Sequence, residues 1–187
     1  LAATGDLSVI NQICTEINPE LTQKQKIVII LELVTIIQAD GQISEHEDKL
    51  VKAIGSNFKV TAAEVEAIEV FVLGILSEDL DHPDILVVDS SASSTFKKAK
   101  HSVRSYLDGF VAILYVAQVD IYFMKYIGGS DVYLNGVPVK SGKISVLAVG
   151  SNLRWDKDEP VYYGEILGKF KSFGDHSRTS FEANSIS

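Results

Sequence analysis

Apolar residues recur at helical spacing over roughly the first 80 positions, then gather into short strand-like runs after residue 83. Three sites in the front part carry a hydroxyl followed three residues later by Glu or Gln: Thr22/Gln25, Ser44/Glu47 and Thr61/Glu64. That spacing lets side chain and backbone satisfy each other's free donors and so marks a helix start. Val65, Ile68, Val72, Ile75 and Leu76 are expected on one face of the helix after Thr61, and Leu50, Val51 and Ile54 on one face of the helix after Ser44. An earlier helix is expected over 7–17, stopped by Asn18-Pro19.

The helix after Thr22 has a different pattern. Between Ile27 and Ile37 only Glu32 and Thr35 interrupt the apolar residues, which predicts a helix wrapped by neighbours at the centre of a bundle.

Beyond His82-Pro83 the pattern turns to strands, so the domain boundary is expected at 78–83. Runs at 84–89, 102–107, 110–117 and 121–127 read as strands, the last two forming a hairpin rich in Val, Ile, Tyr and Phe. Asn135-Gly136 between apolar residues predicts a second hairpin, because a type I′ turn needs positive φ at both positions. A turn at 140–143, a strand at 144–149, the turn after Gly150 and a run at Val161 complete an expected antiparallel β-sandwich. Tyr162 and Tyr163, with Trp155 nearby, are expected either as core or as a recognition surface. The fold class is α+β: helical bundle over 1–82, sandwich over 83–173, and a linker with the expected start of a further domain over 174–187.

Charge divides the same way. Residues 1–82 carry 14 acidic against 5 basic side chains, and residues 83–187 carry 11 against 12. An acidic front disfavours sequence-independent nucleic-acid binding and leaves a cation or a basic partner open. One cysteine, Cys14, rules out an intrachain disulfide, is expected as buried packing, and fits a reducing, cytoplasmic setting. The longest apolar run, about nine residues from Gly109, falls short of a membrane helix. The first residues have neither a basic nor an apolar signal region, so no signal peptide is expected. Four scattered histidines, no Gly-x-Ser-x-Gly and no Gly-Lys-Ser/Thr after Gly128-Gly129-Ser130 leave no catalytic motif, so the chain is expected not to be an enzyme.

The central apolar helix ending in Ala39-Asp40-Gly41, then Gln42-Ile43-Ser44 and Glu47, resembles the TerB-like domain, a family named for tellurite resistance. The resemblance implies a possible divalent-cation role, for which Asp40 and Glu47 are the candidate ligands. The residues before Gly41 lack the alternating oxygen ligands of an EF-hand. The same residues also suit a turn at Asp40-Gly41 and a cap at Ser44/Glu47, so both assignments stay open.

The stretch Val132 to Val139, the run from Ile144 and Gly150-Ser151-Asn152-Leu153 are similar to the closing strands of a forkhead-associated (FHA) domain. Such domains bind phosphothreonine, which makes Asn135 and Gly136 the candidate peptide-binding residues. Of the binding residues of that family, only Asn135 has a counterpart here. Finally, Pro160-Val161-Tyr162-Tyr163-Gly164-Glu165-Ile166 resembles the segment before the ATPase core in Bacteroidetes-type ABC transporter ATP-binding proteins, and the ending from Thr179 resembles the first strand of such an ATPase domain. The combined order implies a regulatory region whose ATP site lies beyond Ser187. Its partner would then be its own ATPase domain or another protein, and a divalent cation is the one cofactor left open for this chain. A free-standing cation-sensing or phosphopeptide-binding stress module is the alternative.

Overall fold

The computed structural model describes residues 2–39, 43–93, 95–155 and 159–171. Four helices come first: α1 (Ala2–Ile17), α2 (Gln23–Ala39), α3 (Glu45–Asn57) and α4 (Ala62–Leu73). All three expected capping boxes form. Gln25 Oε1 accepts from the Thr22 N–H at 2.8 Å, and the Ser44/Glu47 and Thr61/Glu64 pairs bond reciprocally. A short turn carrying Pro19 ends α1.

Helix α2 packs against both α3 and α4, as expected of a central helix. Ile27, Ile30, Leu31 and Val34 are buried, whereas Ile36 stays 64% exposed, so the apolar surface of α2 is wider than its neighbours cover. The face expected of α4 is shorter than the apolar pattern suggests. The helix stops at Leu73, and Ile75 and Leu76 lie past its end in solvent. A Cβ at Gly74 would come within 2.6 Å of the buried Leu80 Cδ2 and 3.0 Å of the Val70 carbonyl oxygen, so a larger residue there would have to displace Leu80.

Nine strands follow among the described residues: β1 (Ile85–Asp89), β2 (Lys100–Val103), β3 (Phe110–Val116), β4 (Ile121–Ile127), β5 (Val132–Leu134), β6 (Val137–Pro138), β7 (Ile144–Leu147), β8 (Asn152–Trp155) and β9 (Val161–Tyr162). They form a five-stranded sheet in the order β2-β1-β3-β4-β7 and a four-stranded sheet in the order β6-β5-β8-β9. Every pairing is antiparallel except β1 with β2. That parallel pair follows from the long return between the strands, which is held by one carboxylate. Asp81 Oδ1 accepts from the backbone N–H groups of Lys97, Lys98 and Ala99 at 3.0, 2.7 and 2.9 Å. The strand expected at 102–107 therefore forms two residues earlier. Tyr106, with φ +61°, sits in the turn that ends it.

The continuous apolar runs of β1 and β3 are explained by burial on both faces. Ile85, Val87, Ala112, Leu114 and Phe123 face the helices and join one cluster with Ile27, Ile30, Ile68 and Phe71. Leu86, Val88, Val111, Ile113 and Tyr122 face the second sheet and meet Val132, Leu153 and Trp155. The order of layers is thus helices, large sheet, small sheet, and a single hydrophobic cluster crosses the chain position expected as a domain boundary.

The chain also forms a helix not expected from its pattern, α5 (Tyr163–Lys171). It packs on the same face of the large sheet as the small sheet does, through buried Ile166. The segment 174–187, expected as a linker and the start of a further domain, lies outside the described residues, as does Asp40.

Candidate functional site

The Asn-Gly turn forms as expected: Asn135 has φ +53° and Gly136 φ +80°, joining β5 to β6. Asn135 does more than fit the turn. Its Oδ1 accepts from the Asn152 N–H at 2.9 Å, and its Nδ2 donates to Ser151 Oγ at 3.2 Å. The buried Ser151 belongs to the turn before β8, so one amide ties two loops together.

Around this tie the small sheet presents its outer face. Tyr133 lies opposite Arg154 across β5 and β8, and Asn152 lies opposite Tyr162 across β8 and β9. Alternation along each strand sends Val132, Leu153 and Trp155 inward and leaves Tyr133, Arg154 and Tyr162 outside, Tyr162 at 56% exposure. Trp155 is therefore core, its Nε1 donating to Ser105 O at 3.1 Å, and Tyr162 is surface. An open cleft of about 470 Å³ is lined by Asp131, Tyr133, Gly136, Asn152 and Arg154. On the other side of the hairpin, Lys140, Lys143, Val137 and Pro138 border a second cleft of about 360 Å³. Arg154 was not singled out in the sequence, although an Arg alternating with Leu and Trp on a strand is the available signal.

At the helical candidate, Glu47 is committed to its cap. Its Oε2 accepts from the Ser44 Oγ–H at 2.7 Å and the Ser44 N–H at 2.8 Å, and those bonds hold its carboxyl below the usual range. Among the described residues no group of three or more His, Cys, Asp or Glu side chains could hold a metal ion. Cys14 is buried in the helical core, which pushes its thiol up.

Two polar groups, one half-buried and one buried, escaped the sequence. His101 Nε2 lies 2.8 Å from Asp89 Oδ1, tying β2 to β1. Lys125, only 3% exposed in β4, donates from Nζ to the carbonyls of Phe71, Val72 and Gly74 at 2.6, 3.0 and 2.8 Å. These are the free acceptors at the end of α4, and the ammonium also lies 5.4 Å from the centre of the Phe71 ring. Burial pushes the Lys125 ammonium down to about 8, opposed by the charge of Asp79.

With this geometry in view, residues 5–70 match the family described as Tellurite resistance protein TerB, so a TerB domain makes up most of the helical part. No curated protein and no solved structure matched the chain. None of these comparisons supports an FHA-like domain or an ABC-type ATP-binding protein. No described helix is long and apolar enough to cross a membrane.

Proposed function

We propose that this chain is a non-catalytic interaction region, a TerB domain mounted on a β-sandwich, and that in the full protein it regulates an ABC-type ATPase core. The observation that carries the interaction part is the outer face of the small sheet. Tyr133, Arg154 and Tyr162 stand exposed on it beside an open cleft, and among the described residues Arg154 has no acidic partner within ion-pairing distance. Tyr and Arg are the side chains most often found to anchor protein interfaces, because each brings a rigid plane and a polar tip. The ATPase part rests on the order of resemblances along the chain, ending in the run Pro160 to Ile166. Cation binding at Glu47 and phosphopeptide binding at Asn135 are less favoured, since both side chains already use their polar atoms within the chain.

The test begins with the coding sequence past Ser187. Continuation into Gly-x-x-x-x-Gly-Lys-Ser/Thr supports the ATPase part, and a stop codon at that point removes it. Where the sequence continues, Tyr133→Ala with Arg154→Ala in the full protein is expected to change ATPase rate without lowering the melting temperature. An unchanged rate refutes regulation through this face.

A further inference from the structure

Helix α5 is weak as a helix and its seat is incompletely satisfied. Two of its nine residues are glycines, Gly164 and Gly168, and a Cβ at either would meet nothing within 4 Å. Neither is needed for packing or for positive φ, yet each lowers helix propensity relative to Ala. The helix is held instead by what lies beneath it.

Tyr115 and Tyr122 pair across β3 and β4 and stack at 4.6 Å, and this pair is the floor of the seat. Phe170 rests on both rings, at 5.4 and 5.6 Å, and Tyr163 meets Tyr122 edge-on at 5.5 Å. The Lys100 ammonium lies 4.9 Å from the Phe170 ring centre. At the other end Glu165 pairs with Arg104 and accepts from the Tyr162 N–H at 3.4 Å, across the first turn of α5.

The seat also contains two buried polar atoms that have no hydrogen-bond partner among the described residues, Tyr122 Oη and Arg104 Nε. Tyr122 is 1% exposed, so docking α5 takes its hydroxyl out of bulk solvent without giving it a described protein partner. A small cavity between Leu86 and Val88 of β1 and Ile166 and Lys169 of α5 adds to the imperfect fit. Aromatic contacts and one ion pair thus oppose poor helix propensity and unpaired polar atoms.

We propose that α5 is a releasable latch, opening and closing as a unit over the Tyr115–Tyr122 floor while both sheets stay folded. Opening would bare an aromatic groove and free the chain after Tyr162, whether or not an ATPase core follows. The reasoning does not depend on the function proposed above.

Hydrogen exchange on the intact chain, read element by element, tests it. The α5 amides are expected to exchange through an opening that leaves β3 and β4 protected. Gly168→Ala should slow α5 exchange about fivefold by adding helix propensity. Tyr122→Phe should slow it about tenfold by removing the unpaired hydroxyl. Phe170→Ala should speed it at least tenfold, on the order of a lost aromatic contact, without altering β3 or β4. Exchange of α5 only in step with β3 and β4, or faster exchange in Tyr122→Phe, overturns the latch.

Discussion

Lys125 offers the sharpest test of how the two parts are joined. Replacing it with Met keeps an unbranched apolar stem of similar reach and removes the ammonium from the end of α4. Three hydrogen bonds from a charged donor, at the low end of about 1.5 kcal/mol each, total roughly 4–5 kcal/mol. Against this, burial moves the ammonium from its ordinary 10.5 to about 8, and at about 1.36 kcal/mol per pH unit that penalty is roughly 3 kcal/mol. The net loss expected for Lys125→Met at pH 7 is therefore only about 1–2 kcal/mol.

The pH dependence gives the sign away. With the folded value below the unfolded one, the unfolded chain holds a proton between about pH 8 and 10.5 that the folded chain has released. Stability from Lys125 therefore rises as pH rises through that window, by about 1.3 kcal/mol between pH 7 and 9. Urea unfolding of both proteins, followed by far-UV circular dichroism and by the fluorescence of Trp155, measures the gap. The gap should widen with pH, and the two signals should coincide in wild type. A Met variant equal to or more stable than wild type, or a gap that narrows toward pH 9, would refute the reasoning.

Two other outcomes follow from the loops. Asn135→Ala loses two side-chain hydrogen bonds and replaces a residue type that tolerates positive φ with one that does not, and Gly136→Ala keeps the bonds but adds strain at φ +80°. Losses of about 2 and about 1 kcal/mol are expected in thermal melts, and equal losses would mean that the amide contributes nothing beyond the turn. Asp81 holds three backbone N–H groups, and those bonds, led by Ala99, keep its carboxyl below the usual range. Its contribution is present above the unfolded value and lost as pH falls through the lower folded value. Asp81→Asn should flatten that acidic part of the stability profile; an unchanged profile would show that the carboxylate is not what pins the loop.

The elements that could be anticipated from the sequence are those whose local chemistry and surroundings agree. Three reciprocal caps and the Asn-Gly turn are short-range devices, written in residues three or fewer apart, and all formed as expected. What could not be anticipated depends on distant partners. Val-Val-Asp at 87–89 carries no sign that its neighbour is β2, lying parallel, because Asp81 sets that return from outside both strands. The end of α4 departs from the expectation because Ile75 and Leu76 continue its apolar spacing, whereas the helix stops at Leu73 and the chain turns at Gly74 against Leu80. Helix α5 was hidden by its own glycines: Ile166 and Phe170 are spaced one turn apart, but Gly164 and Gly168 weaken the pattern. Arg154 and Lys125 look alike as single cations in apolar strands. Only the parity of each strand against its sheet separates an exposed anchor from a buried cap.

That parity also bears on how the TerB domain relates to the rest. Within β1 and β3, alternate residues belong to different cores, so a shift of either strand that repacks Val87 or Ala112 against the helices also moves Leu86 or Val111 against the small sheet. Densely packed interiors transmit such displacements instead of absorbing them. Lys125 adds a polar tie on the helical side, and the Tyr115–Tyr122 pair carries α5 on the other side of the same two strands β3 and β4. A partner bound to the helices and the docking of α5 would therefore act on one shared layer. If the latch opens as proposed, loosening Lys125 should change its opening rate across the sheet, though the two sites share no direct contact. An opening rate of α5 identical in wild type and Lys125→Met would place the coupling elsewhere.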